Sequence, residues 1–131
     1  MHLIFENEIG TSYYDEERCI LIYKSKKIIV NHKTELIKIL LENTYNLVQN
    51  KIVIGEVVDL IGMRGNYKLI LEYLIYHYYP KMKDSGMKKA AYIVPDDLIS
   101  KNLAQKICAQ NRIPTKTFQH MDQAIDWLTA N

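Results

Sequence analysis

The 131-residue sequence predicts an α/β fold, a mixed and mostly parallel sheet that opens with a hairpin and carries its helices mainly on one face. Three observations predict it. Strand-like and helix-like segments alternate in the order β-β-α-β-α-β-α-β-α, the pattern of parallel strands joined by crossover helices. Val57, Val58, Leu60 and Ile61 make a near-continuous apolar run, as expected of a strand covered on both faces. No repeat, low-complexity run or linker divides the chain, so residues 1–131 are expected to form one domain, long enough to bury a core without disulfide or metal staples.

The elements follow in order. Residues 3–8 and 12–26 read as strand, with CILIYKS rich in β-branched and aromatic residues and the Asp15-Glu16-Glu17 cluster as a polar turn before it. So short a connection implies an antiparallel pair. Over residues 33–49 the apolar positions Leu36, Ile37, Leu40, Leu41, Tyr45 and Val48 fall at three- and four-residue steps, one face of a helix, with Asn31 as its expected cap and Glu35 in its first turn. A buried strand around residues 55–61 leads into a second helix over residues 66–79, expected to stop at Pro80. KAAYIV is a further buried strand, and Asp96 or Asp97 is expected to cap a third helix, LISKNLAQKICAQN. Residues 114–118 form a last strand and MDQAIDWL a last short helix.

Composition excludes several classes. With 48% hydrophobic and 24% charged residues the chain is globular, and a net charge of +2 is too mild for a dedicated nucleic-acid binder. The lysine groups 24, 26, 27 and 81, 83, 88, 89 read as solvated strand and loop ends. The acidic opening MHLIFENEIG lacks a signal-peptide pattern, and no window reaches the apolar length of a membrane span. Cys19 and Cys108 are too few and too far apart for a disulfide scaffold, so a reduced, cytoplasmic protein is expected.

Motifs of catalysis are missing. There is no GxGxxG, GxxxxGK[ST], GxSxG, HExxH or CxxC, and His2, His32, His77 and His120 lie on different elements. None of the four serines, Ser12, Ser25, Ser85 and Ser100, sits in a nucleophile elbow. No catalytic residue, cofactor or metal site is expected. Asp59, near the carboxyl end of a buried strand, is the one carboxylate placed where open α/β sheets build sites. It either titrates as an acid or base or accepts hydrogen bonds from loop amides and holds the turn, and the second reading is the stronger because no second catalytic group stands nearby. Gly62 and Gly65 allow a tight turn into the helix that starts near Asn66 and Tyr67, and Arg64 beside them makes this loop a candidate anion or partner-binding site. The competing reading is that the glycines only satisfy backbone geometry.

The succession of elements resembles the STAS domain, the fold of the SpoIIAA-type anti-sigma factor antagonists. The likeness is closest to the small stand-alone bacterial SpoIIAA-like (STAS/SEC14-type) proteins. It is carried by VVDLIGM running straight into a helix, by GMKKAAYIVPDD, and by the ending FQHMDQAIDWL, which spans Phe118 to Leu128. It implies a non-enzymatic regulatory or scaffolding domain that binds a protein or a second copy of itself. The lipid-binding side of the comparison implies an alternative, a small carrier or sensor of an apolar or anionic ligand held between helices and sheet. The antagonists bear Asp-Ser-Ser/Thr-Gly in the loop after the third strand, where a phosphate adds nearly two charges and switches an interface. Here residues 59–68 contain neither serine nor threonine, and Asp84-Ser85-Gly86 precedes the next strand at the other end of the sheet. A serine phospho-switch is therefore not expected.

The second helix is rich in tyrosine. Tyr67, Ile70, Leu71, Leu74 and Tyr78 form a face suited to the sheet, which leaves Leu69, Tyr73 and Tyr76, with Tyr79 at the helix end, as a candidate interface. Such tyrosines form a partner or homodimer surface, wall a groove for an apolar ligand, or are covered by other helices of the domain.

Overall fold

The computed structural model describes residues 1–65, 68–94 and 98–130. Strands β1 (His2–Glu6), β2 (Gly10–Asp15) and β3 (Ile20–Ser25) form an antiparallel meander, one strand more than the expected hairpin. The acidic cluster explains the extra strand. Asp15 accepts hydrogen bonds from the Arg18 amide and guanidinium, and Cys19 closes the turn with a φ of 57°. A segment that reads as one strand from residue 12 to 26 is thereby folded into two, and Cys19 lies in the turn rather than in a strand.

Beyond β3 the chain crosses over. Helix α1 (Thr34–Val48) leads to β5 (Gly55–Asp59), and a long helical segment of α2 (Lys68–Tyr73), a π-helical turn (Leu74–Tyr78) and α3 (Tyr79–Asp84) leads to β7 (Lys89–Ile93). Helix α4 (Leu98–Gln110) connects β7 to β8 (Thr115–Phe118), and α5 (Met121–Thr129) closes the fold. The main sheet has the order β1-β2-β3-β5-β7-β8, with β3, β5, β7 and β8 parallel. Two-residue strands β4 (Ile28–Ile29) and β6 (Met63–Arg64) make a separate parallel pair. Helix α1 begins without a side-chain cap, so Asn31 does not cap it; its Oδ1 instead lies where a Cβ on Gly65 would fall. The expected caps Asp96 and Asp97 lie outside the described residues.

Side chains alternate across the central strands and define two cores. Leu21, Tyr23, Ala90 and Tyr92 face a large cluster completed by Leu40 of α1, Leu74 of the π turn and Ile107 of α4. On the other face, Ile20, Ile22, Val57, Ala91 and Ile93 pack on Ala124 and Leu128 of α5. Lys89 anchors α5 at its carboxyl end, its Nζ donating to the Trp127 carbonyl at 2.8 Å, where a cation complements the helix dipole.

Candidate functional site

Glu56 is the second residue of the central strand β5 and is completely buried. Its register partners are Leu21 of β3 and Ala90 of β7, and two residues further along the same face Val58 is flanked by Tyr23 and Tyr92. A carboxylate in a parallel strand covered on both sides must find donors within the protein. Here Tyr78 Oη donates to Oε1 and Tyr79 Oη to Oε2, both at 2.6 Å. Tyr23 Oη lies 2.8 Å from Tyr78 Oη, and Tyr92 Oη makes a short contact with Tyr79 Oη. With Glu56 ionised, the protons of Tyr78 and Tyr79 are committed to it, so Tyr23 donates to Tyr78 and Tyr92 to Tyr79. Two phenol protons thus meet the carboxylate, and two more meet the phenols that hold it.

The helix is shaped to deliver two adjacent tyrosines. In an α-helix Pro80 would clash with the Tyr76 carbonyl and lack its own N–H, the reason a stop was expected there. The π turn directly before it absorbs the proline, the Tyr79 amide donating to the Leu74 carbonyl five residues back, and the helix continues to Asp84. In an α-helix residue i+5 lies roughly 140° around the axis from residue i. The wider turn brings Tyr79 beneath Leu74, so Leu74, Tyr78 and Tyr79 are all buried. Insertions of this kind recur at functional sites.

Burial raises the Glu56 carboxyl to about 7, against the lowering effect of its two tyrosine hydrogen bonds. Burial likewise lifts Tyr78, Tyr79 and Tyr92 well above the ordinary phenol range, with the charge of Glu56 as the next cause in each.

Above this cluster is a cavity of about 70 Å³ between the sheet and helices α1, α2 and α4. Its walls are apolar, among them Ile37, Leu41, Ile70 and Leu103, and Glu56, Tyr23, Tyr79 and Tyr92 border it while turning almost no polar surface toward it. Asp59 and Ser25 line it at the carboxyl ends of β5 and β3. Ser25 Oγ is buried and has no hydrogen-bond partner among the described residues.

The residues singled out from sequence separate into three groups. Asp59 is half-buried and its Oδ1 accepts from the Ile61 amide at 3.0 Å, the turn-holding role. Gly62 and Gly65 serve the β4–β6 pairing. A Cβ on Gly62 would come within 2.9 Å of the Lys26 carbonyl oxygen, and Gly65 has a φ of +116°. The carbonyls of Gly62 and Arg64 accept from the amides of Ile28 and Val30, which zips the loop to β4, while Arg64 lines an open surface groove with Lys27 and Lys33. Asn66 and Tyr67 lie outside the described residues. On the tyrosine helix, Leu69 and Tyr76 are 73% and 70% exposed, whereas Tyr73 is half-buried, stacked on His77 and bonded to Glu42. Tyr79 is no surface residue. The π turn rotates it onto Glu56 and leaves it 1% exposed. Among the described residues no group of three or more His, Cys, Asp or Glu could hold a metal ion, and no helix is long and apolar enough to cross a membrane.

Glu56 is the functional candidate that motif reading passed over. Its signal was a carboxylate directly before the apolar pair Val57–Val58, near the start of a strand expected to be covered on both faces.

This architecture matches a crystal structure of an uncharacterized DUF3478-family protein from Shewanella loihica PV-4, described as having a SpoIIAA-like fold, with a TM-score of 0.61 over 95% of this chain and 98% of that one. The fold is SpoIIAA-like. At 17% identity the match speaks for the fold alone. No family model and no curated protein matches the chain.

Proposed function

We propose that this SpoIIAA-like chain is a non-enzymatic module that holds a small, mainly apolar ligand between its sheet and helices. The observation that supports this reading is the apolar cavity set directly over Glu56 and its tyrosines, with the unpartnered Ser25 hydroxyl in its lining. Ligand sites are concave and mostly apolar, with few convergent polar groups, and perturbed titrating groups cluster at them. Among the described residues no nucleophile–base pair stands beside the cavity, which favours binding over turnover. Native mass spectrometry of the protein purified from its own host tests the reading, run beside Leu103→Phe, which fills the cavity. Bound small-molecule mass on the wild type that is absent from the variant is the expected result. Mass retained by the filled variant would place the ligand elsewhere.

A second reading, a protein-binding or homodimeric regulatory domain, draws on Leu69 and Tyr76, two large side chains of the same helical segment that are both strongly exposed. Exposed tyrosine and leucine on one helix suit a partner contact. Sedimentation of wild type and Leu69→Ser/Tyr76→Ser decides it: a dimer lost in the double variant supports the contact, and a monomeric wild type removes the homodimer. The geometry favours the ligand reading because the cavity combines shape and burial, while the helix offers area alone.

A further inference from the structure

We infer that Glu56 is an acid–base latch on the helical segment from Lys68 to Asp84, which stays docked on the sheet while the carboxyl holds its proton and opens more often once the proton is lost. The latch is independent of the ligand reading above, since it needs no bound molecule.

Both side-chain hydrogen bonds that Glu56 receives come from this one segment. Tyr78 Oη donates to Oε1 and Tyr79 Oη to Oε2, each at 2.6 Å. The neighbouring strands offer no donor of their own, because the register partners of Glu56 are Leu21 of β3 and Ala90 of β7. Tyr23 and Tyr92 are strand residues, but their phenols meet Tyr78 and Tyr79 rather than the carboxylate. On α1, Thr44 Oγ1 is bonded to Ser12 and to the Leu40 carbonyl, and on α4 Cys108 acts on Tyr92. Burial and the two phenols are what act on Glu56, with no cation or second carboxylate among the described residues. A charge there is therefore held against its burial by two donors that leave together when the segment lifts.

Lifting the segment exchanges burial for water, and the charged form gains far more from that exchange than the neutral one. Burial raises the docked carboxyl to about 7 against an ordinary 4.5, so the docked form prefers the proton and opening grows as pH rises. Ile70, Leu74, Tyr78, Tyr79 and Met82 are buried, so the docked form stays the major one. The latch sets how often the segment opens, not whether the chain folds. The segment's other charged groups stand outside it. Glu72, Lys81, Lys83 and Asp84 are exposed, as is His77, which stacks on Tyr73. Lys38 and Glu42 of α1 meet the segment at that same tyrosine. The segment carries Leu69 and Tyr76 and lends Ile70 and Leu74 to the cavity wall, so its opening alters both surfaces considered above.

Native-state hydrogen exchange of the full chain between pH 5 and pH 8, corrected for the intrinsic pH dependence of exchange, tests the latch. Amides of Lys68–Asp84 should open about 70-fold more at pH 8 than at pH 5, the ratio that carboxyl values of about 7 docked and 4.5 released require. At pH 8 they should also open far more often than the amides of β5 and β7, the mark of a local route. Equal opening of segment and strands at pH 8 would mean that the segment leaves only when the whole chain unfolds, and overturns the latch. So does protection that is the same at both pH values. Glu56→Gln should abolish the pH dependence and His77→Gln should keep it; the reverse pattern assigns the switch to the histidine. A Glu56→Gln chain that does not fold leaves the wild type to decide. Its protonated-carboxyl band in the infrared should be half lost at the pH where the rise in opening levels off, and a rise continuing well beyond that point removes Glu56 as the latch.

Discussion

The two faces of the central sheet solve the same burial problem with different chemistry. Toward α5, Ile20, Ile22, Val57, Ala91 and Ile93 meet Ala124 and Leu128 in a core whose buried members carry no side-chain polar atom. Toward α1, the long helical segment and α4, the same strands bury Glu56 and three of its four phenols within 2% exposure and leave a cavity beside them. Apolar packing is non-directional and tolerates exchange of shape. A buried hydrogen-bonded cluster is worth keeping only when all its members are satisfied, and costs heavily when one is removed. The contrast marks the helix-rich face as the one adapted to something other than stability.

The sharpest way to break the comparison is to strip the carboxylate of its donors. Tyr78→Phe/Tyr79→Phe removes two hydrogen bonds to a charged acceptor, each worth about 1.5–3 kcal/mol, so a loss of about 3–6 kcal/mol is expected in urea unfolding at pH 8. The loss should shrink at pH 5, where Glu56 is protonated and needs fewer donors. Equal losses at both values would mean that the phenols act only as packing.

On the dry face, Leu128→Ala should cost about 2–5 kcal/mol by transfer and cavity terms. No titrating group lies in that buried core, so the cost should be the same at pH 5 and pH 8 by the same denaturation measurement. A pH-dependent loss here would erase the distinction between the faces.

Most of the frame was legible before any coordinates, and the reason is physical. Runs such as Val57–Val58 and the helical spacing of Leu36, Leu40 and Leu41 are driven by burial, which periodicity reports directly. The helix-rich face and the closing α5 followed from the same signal. What stayed hidden depended on local polar geometry. Asp15 splits one apparent strand in two through bonds to Arg18 that no propensity records. Pro80 reads as a stop because the rule assumes an α-helix, and the π turn suspends the rule. Site position in α/β folds favours the carboxyl ends of strands, which singles out Asp59, whereas Glu56 lies near the amino end of the same strand. A charge at a position whose neighbours are all apolar is the informative exception. The adjacent pair Tyr78-Tyr79 would have supplied its donors had the helix been allowed to widen.

Smaller in expectation is the pH profile of the wild type. The Glu56 carboxyl titrates near 7 in the folded chain against 4.5 when unperturbed. Between those values the folded state binds more protons than the unfolded state, so stability falls as pH rises. The stabilisation is complete below about 4.5 and gone above about 7, amounting to about 3 kcal/mol at 1.36 kcal/mol per unit. Glu56→Gln should flatten this stretch of the curve. A wild-type curve already flat from pH 4.5 to 8 would place the carboxyl at its ordinary value and remove the electrostatic half of the comparison.

The smallest effect is expected at Ser25, and it separates a structural from a ligand-directed hydroxyl. Its Oγ is buried at the edge of the cavity without a hydrogen-bond partner among the described residues. Deleting an unsatisfied hydroxyl removes a desolvation cost and a few dispersion contacts, which nearly cancel. Ser25→Ala should therefore change unfolding free energy by less than about 1 kcal/mol, with a gain as reasonable as a loss. If the hydroxyl is held in reserve for a bound molecule, the same variant should lower ligand affinity several-fold while leaving the apo protein intact. A clear loss of apo stability would instead assign Ser25 an internal partner and withdraw it from the site.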